Sequence, residues 1–512
     1  MTPTLPQLKG PWSSGRAEDA FDVFDPATGE VVATVQGGGA AEVDAAVGRA
    51  WRAFESGWRD VPARERGRLL FECARVVRRH ADELAALETL EMGKPYAQAR
   101  RFDVEFCMAS FEFYGGLADK VPGHAFDLGP VAAHTVHEPY GVVGGIIPFN
   151  WPPIHTAAKS APALAAGNAV VLKPPEQDPL TIMRIVELLE GVLPPDVLQV
   201  VPGSGPAAGT ALAAHPRVER LSFTGSTATG RAVLKLAADA MTPVTLELGG
   251  KNPLLVFADA DLDAALRGGL EGAFFNQGEA CTAASRLLVE EPVHDEFVAR
   301  LATAVERLQV GDGRDPATHV GPLISAAQRR RVLDHIDRAI AEGATVAAQA
   351  PLPANARLAG GYWVAPTLFT DVTPEMAIAR EEVFGPVTAV LRFSGETEAL
   401  ELANDTPYGL VAAVYTADAA RARRLARRIN AGVVMVNNYS RAFLGTPFGG
   451  YGDSGYGREH AIESLLEFTR TKNIREPSGL GAIPEWDAVA ELLTVDRTGS
   501  ETTVRSADED HP

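Results

Sequence analysis

The stretch RLSFTGSTATGRAVLKLAADAMTPVTLELGG, residues 220 to 250, decides the fold of this chain. It begins with an apolar run over Arg220 to Phe223, continues with helical spacing from Ser226 to Ala238, and ends in a second apolar run over Pro243 to Leu248. Two buried strands joined by one helix form a βαβ unit, in which the strands lie parallel in one sheet. The stretch therefore predicts an α/β fold.

The same alternation extends upstream of this stretch. The apolar run Ala169 to Leu172 is followed by a predicted helix over Leu180 to Leu189. A second run, Leu198 to Val201, is followed by a predicted helix over Ala207 to Ala214. Four strands alternating with helices indicate a doubly wound parallel sheet. A second α/β pattern follows Lys251, with helices predicted over residues 261–271, 294–308 and 419–429.

Helical spacing also recurs near the N-terminus, from Val43 to Leu87. One set of apolar residues runs from Val43 to Phe54 and a second from Leu70 to Leu84, so we expect two amphipathic helices in this region. The stretches Gly311 to Gly321 and Ala350 to Gly361 are rich in Gly, Pro and small residues and are predicted to be loops.

The composition is that of a soluble globular protein. Hydrophobic residues make up 46% of the 512 positions and the net charge is -19. Because phosphate-backbone binding needs clustered positive charge, no nucleic-acid partner is expected. The longest apolar stretch, near Tyr140 to Trp151, is broken by glycines and a proline, so no membrane span is expected either. Three cysteines in so long a chain exclude a disulfide framework and fit a reducing compartment, which favours a cytoplasmic location.

Of the three cysteines, Cys281 has the setting of a reactive thiol. It follows the polar turn Gln277-Gly278-Glu279, and such turns lie at a surface or cleft. Cys73 and Cys107 lie among apolar residues and are interpreted as structural. A lone cysteine is also commonly a small buried hydrophobe, and this alternative stays open for Cys281 on its local sequence.

A nucleophilic thiol needs a partner that takes its proton, and Glu247 is the candidate. It lies near the end of an apolar strand and precedes Leu248 and two glycines, at the edge where open α/β sheets bind ligands. A structural role is the alternative for this carboxylate. None of the eleven histidines lies in a pairing motif, and no Cys/His spacing indicates a metal.

Three further motifs carry polar groups, and each has an ordinary alternative. Gly225 and Ser226 lie between a strand and a helix, where backbone N–H groups bind phosphate, although Ser226 can also be a plain N-cap. Lys173 and Glu176 can hold ribose hydroxyls or form a surface ion pair. Asn150, which lies between prolines and aromatic residues, can donate to an oxyanion or form a turn.

Together these motifs resemble those of the NAD(P)-dependent aldehyde dehydrogenase superfamily, from about Phe21 to Ile474. The motifs occur in the family's order and are PFNWP at 148, KPPE at 173, FTGST at 223, ELGGK at 247, NQGEAC at 276, EEVFGP at 381 and PFGG at 447. The resemblance implies an aldehyde dehydrogenase-like α/β fold, with a Rossmann-type parallel sheet, a second α/β domain and a small β element.

The resemblance also implies how the chain is divided. The implied parts are a cofactor-binding domain at residues 1–117 and 141–250, a catalytic domain at 251–450, and an oligomerisation element at 118–140 and 451–480. Composition, which turns acidic and poor in apolar residues near the C-terminus, adds an acidic tail at 481–512. The tail is expected to be weakly ordered. A homodimer or homotetramer is the assembly usual in the family.

Site residues follow from the same resemblance. Cys281 is implied as the nucleophile, Glu247 as the general base and Asn150 as a donor to the oxyanion, with Lys159 near the catalytic centre. The residues implied to hold NAD are Ile147, Phe149, Lys173, Glu176, Gly205, Gly225, Ser226, Leu248, Glu382 and Phe384. The residues implied to line the substrate tunnel are Trp151, His155, Ala158, Ala280, Ala442 and Phe448.

This set implies NAD-dependent oxidation of an aldehyde to a carboxylic acid. The Cys281 thiolate attacks the aldehyde carbon, the oxyanion collapses with loss of hydride to the nicotinamide, and Glu247 activates the water that cleaves the resulting thioester. Members that acylate CoA typically lack this glutamate, so a free acid is expected. Glu176 favours NAD over NADP, because its carboxylate repels a 2′-phosphate.

Departures from the family pattern bear on the substrate. Gly452 stands where the family often has a lysine. Ala158 and Ala442 are small where many relatives carry aromatic residues, which indicates a larger or aryl aldehyde. Arg441 can attract a substrate carboxylate or can be an ordinary loop arginine.

Two other functions stay open on the sequence. One is a thiol acyl-hydrolase or esterase that uses Cys281 and Glu247 without redox chemistry. The other is a non-catalytic binding protein on the same fold. The KPPE and FTGST motifs argue against the hydrolase, because a hydrolase needs no dinucleotide site.

Overall fold

The structure, a computed structural model, describes residues 19–440 and 443–493. One compact unit comprises the described residues up to Val121 and those from Glu138 to Arg470; a second comprises Pro122 to His137 and the described residues from Thr471 onward. The acidic tail predicted from residue 481 lies outside the described residues beyond 493. Among the described residues, every helix is too short or too polar to cross a bilayer.

The strands and helices follow in chain order. The strands are β1 (Phe21–Asp25), β2 (Glu30–Val35), β3 (Ala125–Asp127), β4 (Val131–Pro139), β5 (Val142–Ile146), β6 (Ala169–Lys173), β7 (Leu198–Val200), β8 (Arg220–Thr224), β9 (Val244–Glu247), β10 (Asn252–Val256), β11 (Ala284–Glu290), β12 (Thr345–Gln349), β13 (Thr367–Thr370), β14 (Val387–Phe393), β15 (Tyr408–Gly409), β16 (Val411–Tyr415), β17 (Val433–Val436), β18 (Tyr451–Gly452), β19 (Gly455–Tyr456) and β20 (Thr469–Pro477). The helices are α1 (Ala40–Glu55), α2 (Ala63–Arg79), α3 (Ala81–Met92), α4 (Tyr96–Gln98), α5 (Val104–Leu117), α6 (Pro152–Ala166), α7 (Leu180–Leu189), α8 (Thr210–Ala213), α9 (Thr227–Ala238), α10 (Leu262–Phe274), α11 (Glu291–Glu306), α12 (Ala326–Ala341), α13 (Ala377–Arg380), α14 (Gly395–Asn404), α15 (Ala419–Arg428), α16 (Ile462–Glu467) and α17 (Asp487–Leu492).

The first sheet of the larger unit has the strand order β19-β9-β8-β5-β6-β7. All neighbours pair in parallel except β19, which is antiparallel to β9. Every residue of β5, β6 and β8 is buried, which explains why these strands read as continuous apolar runs rather than alternating ones. The predicted doubly wound parallel sheet is confirmed.

Strand order in this sheet reverses at β5. The chain runs outward from β5 through β6 to β7, and then crosses to the other side of β5 to form β8 and β9. Ligands of open α/β sheets bind beyond the carboxyl ends of the strands at such a switch point. The segments that leave β5 and β8 contain Asn150 and Gly225, so both lie at this position.

The second sheet has the order β12-β13-β14-β11-β10-β16-β17 and is parallel except for β12. Leu254 and Val256 of β10 pack in one apolar cluster, and Leu255 and Phe257 pack in another. This alternation places one cluster on each face of the sheet. The connection from the first sheet is short, because β9 ends at Glu247 and β10 begins at Asn252.

Apart from shifts of up to three residues at the ends of α10 and α11, the predicted helices differ from the structure in two places. Three helices, α1 to α3, replace the two expected between Val43 and Leu87, because the chain breaks at His80 (φ -107°, ψ 13°). The Nδ1 atom of His80 lies 2.8 Å from Glu83 Oε2 in the first turn of α3. The helix expected over Ala207 to Ala214 begins earlier, with a π-helical turn at Gly205–Gly209, where Ser204 Oγ accepts the N–H of Ala207.

The smaller unit contains a three-stranded sheet in the order β20-β4-β3, with β3 antiparallel to β4. Residues 451 to 470 do not belong to this unit. They lie in the larger one, where β19 pairs with the edge of the first sheet. The division into cofactor, catalytic and oligomerisation parts stays a prediction.

Candidate active site

The backbone carbonyl of Asn150 is held by two buried donors at the switch point. Lys94 Nζ donates to it at 3.0 Å and Asn276 Nδ2 at 3.1 Å. The Asn150 side chain is only 3% exposed, and its Oδ1 atom has no hydrogen-bond partner among the described residues. The segment is therefore fixed through the backbone carbonyl of Asn150, while the side-chain acceptor Oδ1 has no fixed partner.

Lys94 was not singled out in the sequence, and it is fully buried. It forms ion pairs with Asp103 and, at 2.8 Å, with Glu88, and its Nζ lies 4.4 Å from the centre of the Trp151 ring. Burial disfavours the ammonium, but the two carboxylates outweigh it and raise the pKa of Lys94. The charged side chain therefore anchors the segment that carries Asn150.

The loop before Cys281 uses left-handed backbone at three successive residues. The φ angles of Asn276, Gln277 and Gly278 are 53°, 57° and 69°, and a Cβ on Gly278 would lie 2.1 Å from the carbonyl oxygen of Gly385. The sequence placed this polar turn at a surface or cleft, and that expectation is wrong, since its residues are buried. Tertiary hydrogen bonds make burial tolerable: Asn276 Nδ2 bridges the carbonyls of Asn150 and Glu279.

The three thiols differ in exposure. Cys281 is partly exposed, whereas Cys73 and Cys107 are buried. Asn252 fixes the loop behind the thiol, because its Nδ2 donates to the Cys281 carbonyl at 2.7 Å. Burial, followed by the charges of nearby carboxylates with Glu247 foremost, raises the pKa of the Cys281 thiol. The resting thiol is therefore protonated and needs a base.

Glu247 is the last residue of β9 and is 2% exposed. Neither carboxylate oxygen has a hydrogen-bond partner among the described residues. Burial and, next, the charge of Glu459 raise its pKa well above the usual value, while Lys159 and Arg458 oppose the shift. A Cβ on Gly449 would lie 2.8 Å from Glu247 Oε1, so this glycine of the PFGG motif leaves room for the carboxylate.

Lys159 is fully buried on α6 and holds a carboxylate that the sequence analysis missed. Its Nζ donates to Thr224 Oγ1 at 2.7 Å and to Glu459 Oε1 at 3.0 Å. Burial opposes ionisation of Glu459, but Lys159, with smaller contributions from two histidines, outweighs it and lowers the pKa of Glu459 to about 2. The one available signal for Glu459 was a lone carboxylate directly after the glycine-rich residues 449–457.

The residues predicted to hold the adenine ribose lie together at the end of β6. Lys173 Nζ is 3.2 Å from Glu176 Oε2, and Glu176 Oε1 accepts the backbone N–H of Gly205 at 2.7 Å. Ile147 donates its N–H to the Lys173 carbonyl at 3.0 Å. The carboxylate of Glu176 is therefore fixed next to a strand end, as binding of ribose hydroxyls requires.

Gly225 and Ser226 lead into α9, and Ser226 Oγ accepts the N–H of Thr229 at 3.2 Å. Ser226 is thus an N-cap, which leaves other N–H groups of the first turn free to hold an anion. Leu248 closes the other side of this turn, because a Cβ on Gly230 would lie 2.6 Å from its side chain.

Residues from the second sheet complete the cofactor side. Glu382 Oε1 accepts the N–H of Gly250 at 2.9 Å. The Phe384 ring lies 5.6 Å from that of Phe149 in an edge-to-face arrangement, and Phe384 has the rare φ of 56°. A helix N-terminus, the carboxylate of Glu176 after β6, the carboxylate of Glu382 and a pair of aromatic rings are groups that a dinucleotide can use, so these residues fit NAD.

Aromatic rings surround the predicted substrate residues. Trp151 stacks on Phe275 at 5.8 Å and packs with Ala280, the residue before the thiol. His155 and Ala158 are buried on α6. Additional rings, which the sequence analysis did not identify, come from Phe102, Phe106, Phe275 and His460. Phe448 pairs through its backbone with Glu459, whereas Ala442 and Arg441 lie outside the described residues.

The structure explains the glycine at 452. Gly452 has a φ of +57° and pairs with Tyr408, and a Cβ there would lie 2.6 Å from the carbonyl oxygen of Pro407. A lysine at this position would be strained in this backbone.

A partly exposed thiol and a buried carboxylate without a fixed partner lie beside a cleft whose residues fit a dinucleotide, on an α/β fold. The model of the aldehyde dehydrogenase family matches residues 12–474. The chain is 50% identical to an aldehyde dehydrogenase of Monascus ruber over 481 residues, which are 94% of this chain and 96% of that protein. It is 42% identical to retinal dehydrogenase 2 of Homo sapiens over 474 residues, which are 91% of this chain and 90% of that protein.

Solved structures of related enzymes have the same fold as this chain. The structure of PnpE in complex with nicotinamide adenine dinucleotide superposes with a TM-score of 0.89 at 42% identity, covering 92% of this chain and 96% of that one. Betaine aldehyde dehydrogenase of Staphylococcus aureus in complex with NAD⁺ gives a TM-score of 0.89 at 38% identity, covering 92% and 94%. The chain belongs to the aldehyde dehydrogenase family. The predicted NAD-dependent oxidation of aldehydes is confirmed.

Proposed function

We propose that Cys281 is the nucleophile and Glu247 the general base with which this aldehyde dehydrogenase forms a free carboxylic acid. One observation carries the proposal: the buried Glu247 carboxylate has no hydrogen-bond partner among the described residues, and its charge acts on the Cys281 thiol. A buried, unpaired carboxylate is costly to a fold. A base that serves first a thiol and then a water needs this freedom from fixed partners.

In the first step the thiol proton passes to Glu247 while the Cys281 sulfur bonds to the aldehyde carbon. The raised pKa of Glu247 matches it to this transfer. The carbonyl oxygen becomes an oxyanion, which the Asn150 side chain and the Cys281 N–H stabilise. Loss of one such donor costs about 3 kcal/mol in the transition state.

NAD, when bound, supplies the acceptor for the hydride that leaves this carbon. Lys173 and Glu176 would hold the adenine ribose, and the first turn of α9 at Gly225 and Ser226 would hold the pyrophosphate. Glu382 and Phe384 would position the nicotinamide ribose and ring. Ile147, Phe149, Gly205 and Leu248 would line the same cleft.

The second step releases the acid from the Cys281 thioester. Glu247 first releases the thiol proton to solvent and then, as a carboxylate again, takes a proton from water while the hydroxide adds to the thioester carbon and the sulfur leaves as thiolate. Lys159 and Glu459 set the charge near this base. The presence of Glu247 supports hydrolysis rather than transfer to CoA.

We also propose a homodimer or homotetramer that works in the cytoplasm on a larger or aryl aldehyde. All three cysteines are free, which fits a reducing compartment. The net charge of -19 supports neither a nucleic acid nor an anionic membrane as a partner. Ala158 adds little volume beside His155, which supports a larger substrate.

Formation of NADH from a panel of aliphatic, aryl and carboxylated aldehydes tests the proposal. The Cys281→Ala variant is expected to form no NADH. In the Glu247→Gln variant the rate of NADH formation is expected to fall roughly 10²- to 10⁴-fold, which is the usual contribution of a general base. Cys73→Ala, a thiol buried on α2, is the matched control and should keep near wild-type rates. Cleavage of esters by the wild type without any aldehyde oxidation would contradict the proposal and favour the acyl-hydrolase.

A further inference from the structure

Two buried imidazoles near the catalytic centre have ring nitrogens without a hydrogen-bond partner among the described residues. They are Nδ1 and Nε2 of His155, which is 6% exposed, and Nδ1 of His460, which is 4% exposed. Leaving a buried polar atom without a hydrogen-bond partner destabilises the fold. These three atoms therefore indicate a partner that comes from outside the described chain.

Both imidazoles belong to the aromatic surroundings of the thiol. His155 lies one helical turn after Trp151, the residue before α6, and the backbone N–H of His155 donates to the Trp151 carbonyl at 3.0 Å. The His460 ring lies 4.9 Å from Phe106 and 5.5 Å from Phe448.

Rings connect the two histidines to the thiol. Phe106 is 6.2 Å from Phe102, which is 5.6 Å from Trp151. Trp151 packs in one apolar cluster with Ala280, the residue before Cys281. These rings, here called the aromatic wall, join His460 to Trp151, which lies one helical turn before His155 and packs in one cluster with the residue that precedes Cys281.

The charges of this wall favour an uncharged ligand. Burial, followed by Lys159, lowers the pKa of His155 to about 3, and burial also lowers the pKa of His460. Both rings are therefore neutral near pH 7, and each neutral imidazole offers one donor and one acceptor. The charge of Lys159 is already balanced by Glu459 at 3.0 Å.

We infer that His155 and His460 form a hydrogen-bonding subsite that selects uncharged aldehydes carrying a hydroxyl group on an aromatic or similarly flat apolar body. The inference rests on the proposed function and names its substrate class. A hydroxyl both donates and accepts, which matches a neutral imidazole. An aldehyde without it leaves the nitrogens unpaired, and sites built to bind a substrate hydroxyl strongly reject the analogue that lacks it.

Matched substituted benzaldehydes test this with NAD and the full-length enzyme. We expect kcat/KM for 3-hydroxybenzaldehyde to exceed that for benzaldehyde by about tenfold or more, since one good hydrogen bond is worth about 1.4 kcal/mol. 3-Methoxybenzaldehyde, which accepts but cannot donate, should fall between them. 3-Carboxybenzaldehyde should be the poorest of the series.

His155→Leu should bring the hydroxy-to-unsubstituted ratio of kcat/KM close to one. His155→Asn keeps one donor and one acceptor and should retain part of the ratio. His294→Leu is the matched control, because His294 is a buried histidine on α11, 5% exposed and outside the site. Its ratio should equal that of the wild type. If His155→Leu does not fold, His155→Asn and His460→Asn carry the test.

Three results would overturn the inference: equal kcat/KM for the hydroxylated and unsubstituted aldehydes, an unchanged ratio in the folded His155 variants, or a preference for the carboxylated aldehyde. The failure of the proposed function looks different. In that case the wild type forms NADH from none of the aliphatic, aryl and carboxylated aldehydes of the wider panel, whereas activity on that panel without activity on any benzaldehyde would overturn the inference alone.

Discussion

Lys159 Nζ lies 3.0 Å from Glu459 Oε1, although the two residues are 300 positions apart in the chain. Both side chains are buried, and both act on the proposed base with opposite sign. The ammonium lowers the pKa of Glu247, and the carboxylate raises it. The basicity of Glu247 is therefore set by a neighbouring ion pair as well as by its own burial.

Opposite pH shifts are expected from the two halves of this ion pair. Glu247 acts as a base only when ionised, so activity rises with pH through its pKa. Lys159→Met removes the lowering charge and should move the acid limb of kcat/KM to higher pH by about one unit, or about 1.4 kcal/mol. Glu459→Gln removes the raising charge and should move it to lower pH. Lys235→Met, at an exposed position of α9, is the control and should leave the pH profile unchanged. Shifts of the acid limb in the same direction in both test variants would contradict the opposite effects assigned to Lys159 and Glu459.

Glu176→Gln is expected to relax the discrimination against NADP. The substitution removes the negative charge that Gly205 and Lys173 now fix at the end of β6, and with it the repulsion of a 2′-phosphate. We expect the ratio of kcat/KM for NAD over NADP to fall about tenfold. Glu190→Gln, an exposed carboxylate after α7, should leave the ratio unchanged. A wild-type enzyme that prefers NADP would refute the role given to Glu176.

Lys94→Met should reduce both stability and turnover. It leaves Glu88 and Asp103 buried without their cation, and removal of one member of a buried ion pair costs about 3–5 kcal/mol of unfolding free energy. It also removes one of the two donors to the Asn150 carbonyl, so kcat should fall more than KM rises. Denaturant unfolding and steady-state kinetics measure the two effects. Lys120→Met breaks only an exposed pair with Asp119, which the solvent screens, and should change the free energy of unfolding far less than Lys94→Met.

Gly249→Ala should weaken cofactor binding. The new Cβ would lie 2.2 Å from Glu382 Oε2, so the carboxylate must leave its bond to the Gly250 N–H. We expect KM for NAD to rise about tenfold with a smaller effect on KM for the aldehyde. Gly116→Ala is the matched control, because a Cβ there has nothing within 4 Å and alanine favours a helix. Unchanged KM for NAD would argue against a cofactor role for Glu382.

Much of the first sheet could be predicted because its strands are buried on both faces. The predicted helix at Leu180 to Leu189 has the bounds of α7. The break at His80 was not predicted, because nine of the twelve residues of α3 are buried, and a helix buried on most sides shows no amphipathic stripe that would mark where it begins. Strands of two residues, such as β19, are too short to show the alternation of apolar and polar residues that would predict them.

Motifs identified the candidate catalytic residues, but not what holds them. Cys281 and Glu247 stand in recognisable local sequences, which a single chain displays directly. The residues that hold the site in place do not stand in such motifs. Lys94 donates to the Asn150 carbonyl across 56 positions of the chain, and Lys159 donates to Glu459 across 300. Side-chain contacts over such separations depend on how the sheets pack, and no local pattern records them.

The short connection between the two sheets has a mechanical consequence. Only residues 248–251 separate Glu247 at the end of β9 from Asn252, which holds the Cys281 carbonyl. The five residue steps from Glu247 to Asn252 span at most about 18 Å even when fully extended. A motion that separates the two sheets therefore has its hinge close to Glu247 and Cys281. The rim of the cleft then moves most, while the distance between the two reacting groups stays nearly constant.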